Sequence, residues 1–323
     1  MSEPTKATVW HKVRRRIAGG RGPESRLVKV LKEQQAEAKK QAAEVRKHEK
    51  STTALLTDIR WEMREQRKYL EGFRALAARD TFAEIREFTE ACQLGFEDTV
   101  RKVAQERISL ARFGDGELKT MLRPEFNLRF QPWSAALAGD LRQVLRMDGY
   151  DRDKLMVAFP YTFRNVHWTG VWLDIWPEVK PLLDTTLTWG MAHVSRPQYF
   201  IHLGRQGVQL WRDVWDAKEI VIVTGEGSRF VLEPALFDNA KSIEFVYSKP
   251  VNAYADLPRL MPLLEAQDPD KLFLIALGPT GTLVAAKLAQ AGRWAIDVGH
   301  ISESYANVFE GGQWPEAMGV VKK

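Results

Sequence analysis

Asp115 and Glu117 stand one residue apart around Gly116, just after the apolar run "ISLARF" (108–113). Two carboxylates at that spacing permit two readings. Gly-Asp-Gly is turn material, and Glu117 can open a helix behind it. The same pair can hold a divalent cation against a phosphorylated substrate, because hard cations take carboxylate oxygens. Polar residues recur behind other apolar runs. Glu226 and Arg229 follow "EIVIVTG" (219–225), and Asn252 and Tyr254 follow "SIEFVYS" (242–248). Pro279 and Thr280 follow "LFLIALG" (272–278), while Asp297 and His300 close "WAIDVG" (294–299). Carboxylates and arginines gathered at several strand ends have the character of a site for an anionic ligand. No histidine of the region sits in a spaced ligand pair, no Gly-x-Ser-x-Gly elbow occurs, and Cys92 is the only cysteine. Oxygen-ligated metal chemistry therefore suits the chain better than zinc.

These residues need a scaffold that brings strand ends together. "KLMVAF" (154–159) adds a further apolar run, and helical patterns such as "AALAGDLRQVLRM" and "TLVAAKLAQAG" lie between the runs. Continuous apolar strands alternating with helices predict an α/β fold, a Rossmann-like, mainly parallel sheet with helices on both faces. In such a sheet ligands bind beyond the carboxyl ends of the strands, where the polar residues collect. Within "LGPTGTLVAAKLAQAG" (277–292), Gly278 allows the turn, Thr280 can cap the helix and Gly292 can end it. The start of that helix can receive a phosphate or be a capped structural helix. It matches neither a Walker loop nor the three-glycine dinucleotide fingerprint.

Ahead of the sheet the composition differs. Residues 24–71 contain neither Pro nor Gly and are rich in Ala, Glu, Lys, Arg and Gln. Alternating steps of three and four from Val28 to Ala77 land on fifteen positions, eleven of them apolar, with gaps at Gln35, Glu49, Thr52 and Gln66. That period predicts a coiled coil, most simply a parallel homodimer, with Leu56, Ile59, Met63, Leu70 and Phe73 as its best-packed section. A helical stretch over 81–106 joins this stalk to the sheet, which divides the chain into a tail (1–23), a stalk (24–106) and a main domain (107–323).

Charge follows the same division. Residues 1–32 carry a net +7 of the chain's +5, so the remainder is at −2. The basic balance describes a tail and implies no nucleic-acid groove. In "TVWHKVRRRI", Val9, Trp10, Val13 and Ile17 share a helical face flanked by Lys12, Arg14, Arg15 and Arg16, a pattern suited to peripheral contact with an anionic membrane surface. No apolar stretch reaches the roughly 20 residues of a membrane span and no secretory signal is present. The single cysteine excludes an intrachain disulfide. A cytoplasmic protein working at the inner face of the plasma membrane is the expectation.

Taken together, "RFGDGE" (112–117), "SRP" (195–197), "TGEGSRF" (224–230), "LFDNAKSI" (236–243), "VNAY" (251–254), "LIALGPT" (274–280) and "DVGHI" (297–301) resemble the bacterial GT-D fold glycosyltransferases, first known as a domain of unknown function. The resemblance covers about 107–312. It implies a transferase that uses a nucleotide diphosphate sugar, UDP-sugar first among donors, and a divalent metal, Mn²⁺ or Mg²⁺, at the Asp-x-Glu motif, here Asp115 and Glu117. Arg112, Arg196 and Arg229 are then phosphate partners through planar charge-assisted hydrogen bonds, with Asn252, Gly278 and Thr280 on the donor side. One departure stands out. The family carries acidic residues two, four and six positions after its Gly-His, where this chain has Ser302, Ser304 and Ala306, with Glu303 between them. Glu303, His300, Asp297 and Glu226 all remain candidates for the catalytic base. The expected reaction moves a hexose to a hydroxyl of a glycan, glycoprotein or cell-envelope acceptor. Two rivals stay open: another nucleotide-dependent enzyme on a Rossmann-like sheet, and a non-catalytic coiled-coil scaffold with a degenerate transferase domain.

Overall fold

The structure is a computed structural model that describes residues 23–162, 166–315 and 317. The membrane-contact motif of the tail lies outside the described residues. Among the described residues, no helix is long and apolar enough to cross a membrane.

Seven strands form one parallel sheet: β1 (Ser109–Arg112), β2 (Leu155–Phe159), β3 (Gly190–Met191), β4 (Glu219–Gly225), β5 (Ser242–Ser248), β6 (Leu272–Ala276) and β7 (Trp294–Asp297), in the order β3-β2-β1-β7-β6-β4-β5. The strands are apolar on both faces, and period two decides which helix layer each side chain meets. Ala111, Leu155, Val157, Val221, Val223, Phe273 and Ile275 enter the packing of one face. Their neighbours Leu110, Met156, Ala158, Ile220, Ile222, Leu272 and Leu274 enter the other. Helices α4 (Asp115–Leu122), α5 (Ala135–Leu145), α6 (Val166–Val179), α9 (Leu257–Glu265) and α10 (Pro279–Gln290) contribute to the first layer. The second is built by α3 (Phe96–Glu106), α7 (Pro197–Trp215), the short α8 (Pro234–Phe237) and α11 (Ile301–Phe309).

The strand order has a functional consequence. After β1 the chain moves outward to β2 and β3, crosses to β4 and β5, then returns through β6 to β7 beside β1. Neighbours β6 and β4 thus send their following connections in opposite directions, to β7 and to β5, and a crevice opens at the carboxyl ends there.

The helical unit and the compact unit part after Arg74, not at residue 106. Helix α2 (Arg79–Cys92) and α3 belong to the compact unit because they bury apolar stripes in it. Ala78, Phe82, Ile85, Phe88 and Cys92 pack in the first layer. Phe88 meets Phe159 at 5.3 Å and Trp189 at 5.7 Å between ring centroids. Before this unit, α1 (Pro23–Ala77) is an unbroken helix of 55 residues whose apolar seam is exposed, Leu56 at 60% and Phe73 at 69%.

Candidate active site

A cleft of about 400 Å³ lies at the carboxyl ends of β1, β4, β6 and β7, within the usual size of a small-molecule site. Phe113, Leu128, Phe130, Trp168 and Phe230 supply apolar walls. Helices α4, α10 and α11 begin on its lining, at Gly114, Gly278 and His300. Three such N-termini bring unpaired N–H groups and positive dipole ends to one cavity, which favours an anion.

The frame of the cleft is a buried cross-brace between β1 and β7. Arg112 Nε donates to the Asp297 carbonyl at 2.6 Å, Nη1 to the Ala192 carbonyl at 2.8 Å and Nη2 to Asp297 Oδ1 at 3.0 Å. Asp297 Oδ1 also accepts from the Gly299 N–H at 3.1 Å. Thr282 Oγ1 donates to the Arg112 carbonyl at 2.9 Å and approaches Asp297 Oδ2 at 3.4 Å. Gly299 has φ +47°, and a Cβ there would run into the Arg112 guanidinium. Only glycine fits that turn. Arg112 and Asp297 line the cleft, but their hydrogen-bonding groups are largely spent on holding it.

Asp115 and Glu117 occupy the first turn of α4, and the two readings of their spacing meet here. Glu117 Oε2 accepts from the Gly114 N–H at 2.7 Å, the side chain-to-backbone half of a capping box. Its other oxygen has no hydrogen-bond partner among the described residues. Burial, then the negative charge of Asp297, push the Glu117 carboxyl up to about 7. Asp115 is more open and has only loose partners, Lys119 at 3.6 Å and His167 at 3.8 Å. Among the described residues no cluster of three or more ligand-type side chains is present. Asp115 and Glu117 alone would not cage a cation; one held there would have to complete its shell with ligand oxygens and water, as Mg²⁺ and Mn²⁺ do.

Across the cleft, Glu303 Oε1 lies 3.4 Å from His300 Nδ1 and 3.8 Å from Arg229 Nε. Burial pushes the Glu303 carboxyl up, but the His300 hydrogen bond and charge, with the helix backbone and Arg229, outweigh it and hold it below its ordinary value. Glu303 Oε2 and Arg229 Nη1 are both buried without a hydrogen-bond partner among the described residues. Buried charged groups with open valences are uncommon and point to a ligand. Glu226 is exposed on the same lining, and Arg196 and Gly278 also face the cavity.

Ten of the twelve residues singled out from sequence thus line one cleft. Asn252 and Thr280 do not. Both are held by Gln131, which is buried: its Nε2 donates to Asn252 Oδ1 at 3.0 Å, and its Oε1 accepts from Thr280 Oγ1 at 3.0 Å. Asn252 also has φ +58° and caps the turn Ala253–Asp256. They fix the loop and helix that flank the cleft.

Two lining residues carry no signal that sequence reasoning used. His193 lies two residues before the Ser-Arg-Pro motif, and its Nδ1 accepts from the Tyr161 N–H at 2.9 Å. Burial, reinforced by Arg196 and Arg112, lowers its pKa well below the ordinary value, so it is neutral. Lys249 follows β5 directly and presents an exposed ammonium to the cavity. A lysine next to a parallel strand's carboxyl end was the available clue.

Residues 110–315 match the family described as glycosyltransferase GT-D fold. The chain belongs to this family. A solved GT-D structure, described as the highly conserved domain of unknown function 1792 with a distinct glycosyltransferase fold, is 26% identical with a TM-score of 0.64, covering 75% of this chain and 88% of that one. A second, a new glycosyltransferase from Streptococcus sanguinis, is 25% identical with a TM-score of 0.60, covering 68% and 85%. Two curated relatives are each 27% identical: glycosyltransferase GlyD of Streptococcus pneumoniae serotype 4, over 65% of this chain, and the probable glycosyl transferase Gly of Streptococcus gordonii, over 66%. The matched region spans only 27% and 32% of those two proteins. The GT-D region of this chain begins within β1 and takes in the whole lining from Arg112 to Glu303.

Proposed function

We propose that this GT-D protein transfers a hexose from a nucleotide diphosphate sugar, with UDP-sugar as donor, to a hydroxyl of a glycan, glycoprotein or cell-envelope acceptor. The observation that carries the reading is the pairing, in one cleft, of the carboxylates Asp115 and Glu117 with the half-satisfied Arg229–Glu303 pair. Asp115 and Glu117 would hold a divalent cation, which when bound would neutralise charge on the leaving diphosphate.

The remaining work falls to this chain's own side chains. Arg229 and Lys249, with Arg196 on the same wall, bind the diphosphate oxygens, and the N-termini of α4 and α10 add dipole stabilisation. Arg112 and Asp297 keep β1 and β7 in register beneath the ligand. The apolar rings of Phe130, Trp168 and Phe230 exclude water from the sugar. In the transfer, the acceptor oxygen bonds to the anomeric carbon, the anomeric carbon–phosphate oxygen bond breaks, and the nucleoside diphosphate departs with that electron pair. The acceptor's proton goes to Glu303, which is ionised and has an oxygen free to receive it. His300 orients that carboxylate.

The test is a panel of nucleotide sugars offered to the purified full chain with Mn²⁺, with release of the nucleoside diphosphate as the readout. UDP release from one UDP-sugar, lost on chelation, is the expected result. No release from any donor, together with no effect of UDP and Mn²⁺ on thermal stability, would refute it.

A further inference from the structure

The exposed seam of α1 carries a charge arrangement that the heptad count alone does not reveal. With Val28, Leu31, Leu56, Ile59, Leu70 and Phe73 on the seam, the row beside it that follows each Leu31-type position is Lys32, Lys39, Arg46, Arg60, Arg67 and Arg74, interrupted only by Thr53. The opposite flanking row is almost uncharged, with Gln34, Gln41, Leu55 and Tyr69, and Glu62 as its one carboxylate. Beyond that neutral row lies an acidic one, Glu37, Glu44, Asp58 and Glu65. Each helix therefore has a basic flank on one side of its seam and a neutral-to-acidic flank on the other. Intrahelical pairs such as Lys29–Glu33 and Arg67–Glu71 are exposed and do not cancel the asymmetry.

We propose that α1 pairs with α1 of a second copy of this chain, parallel and in register. In a parallel pair each basic row faces the partner's neutral-to-acidic flank, and Glu62 comes opposite the partner's Arg67. An antiparallel pair would instead set the basic rows against each other along the whole helix, so the charges select against it. The seam alone would allow either direction. Pairing covers apolar side chains that are otherwise in water, among them Leu31 at 51% and Leu70 at 63% exposure. Both chains then leave the pair at the same end. Glu49 is the weak layer, because parallel register places it against its own counterpart. The inference stands on α1 alone and is independent of the chemistry assigned to the cleft.

Sedimentation equilibrium of the full chain should give the mass of two copies. Leu56→Glu with Ile59→Glu should return the monomer mass, while Glu49→Leu should tighten the dimer. Orientation is read with Leu31→Cys under oxidation, against the wild-type chain, whose Cys92 is buried. In parallel register the two introduced thiols lie within the roughly 4 Å Cβ separation a disulfide needs. In an antiparallel pair they sit some 39 residues apart along the helix, roughly 60 Å. A monomer at every accessible concentration, a mass above two copies, or a dimer that survives the double glutamate variant would overturn the pairing. A dimer whose Leu31→Cys thiols do not join would overturn the orientation.

Discussion

Replacing Glu117 by Gln should stabilise the protein above pH 7 and deprive it of its cation. The Glu117 carboxyl is raised from 4.5 to about 7, chiefly by burial and secondly by Asp297. Its native pKa thus exceeds the unfolded one. Between pH 4.5 and about 7 the native state binds more protons than the unfolded chain, so this group's contribution to stability falls as pH rises. Above pH 7 the loss is complete. A carboxyl moved from 4.5 to about 7 corresponds to about 3 kcal/mol. Gln retains an oxygen to accept the Gly114 N–H and carries no charge to desolvate. The variant should therefore match wild type near pH 4.5 and exceed it by up to about 3 kcal/mol at pH 8. For a compact unit of this size that is about 6–12 °C in melting temperature.

The assay is denaturant unfolding of both proteins at pH 5, 6, 7 and 8 without metal, followed by the same series with Mn²⁺ and UDP. Other titrating groups cancel in the difference. Wild type should gain stability from the ligands, and the variant should gain far less. A stability difference between the two that does not change with pH would refute the burial argument. Equal ligand stabilisation would refute the metal assignment and leave Glu117 as a helix cap.

Four further outcomes are expected. Asp115→Asn should abolish metal-dependent UDP binding with little change in melting temperature, because its contacts at 3.6 and 3.8 Å are loose and Asp115 itself is open to solvent; calorimetry reads both. Gly299→Ala should cost about 2–4 kcal/mol in urea unfolding, combining a strained positive φ with overpacking against Arg112. Arg112→Lys keeps the charge but cannot reach both Ala192 and Asp297, so unfolding should be easier by about 2–4 kcal/mol; unchanged stability would remove the brace from the account. In an NMR titration His193 should stay neutral at pH values where exposed histidines protonate, since burial and two arginines lower its pKa.

Much of the sheet was legible because its inner strands are buried on both faces and read as continuous apolar runs, while the edge strand β5 is marked by Ile243, Phe245, Val246 and Tyr247. β3 was not. Two residues, Gly190 and Met191, suffice to pair with Ala158 and Phe159, and no run of that length carries a pattern. The end of the stalk was misplaced for a different reason. Phe82, Ile85, Phe88 and Cys92 repeat at steps of three and four like the seam before them, in a shifted register, and the same period serves a coiled coil and a core-facing helix. Only their burial in the compact unit separates the two. At the site, residues at strand ends were found because the topology sends every such end to one side of the sheet. Asn252 and Thr280 obey the same rule, yet they turn to Gln131, a partner distant in sequence that no local pattern marks.

The motifs that converge on the cleft divide their labour internally. In the first, Arg112 braces while Asp115, three positions on, is left open to ligand. In the last, Asp297 is enclosed by Arg112, Gly299 and Thr282, whereas Glu303, six residues later in the first turn of α11, keeps an oxygen without a partner among the described residues. Counting carboxylates in the cavity would give both acids equal weight. Their remaining hydrogen-bond capacity does not, because a carboxylate committed to a guanidinium and an amide has little left for a substrate hydroxyl. The departure from the family's pattern after His300 bears on this division. Ser302 and Ser304 are buried in α11 and lie off the cleft lining, so two of the three positions at which the resemblance leads one to expect acids face the packed interior here, and the third, Ala306, is half-buried off the lining. Glu303 is the residue of that helix turned toward the donor site. A single acid held between His300 and Arg229 is therefore what α11 brings to that wall, and this is the ground on which the proposed role of base rests.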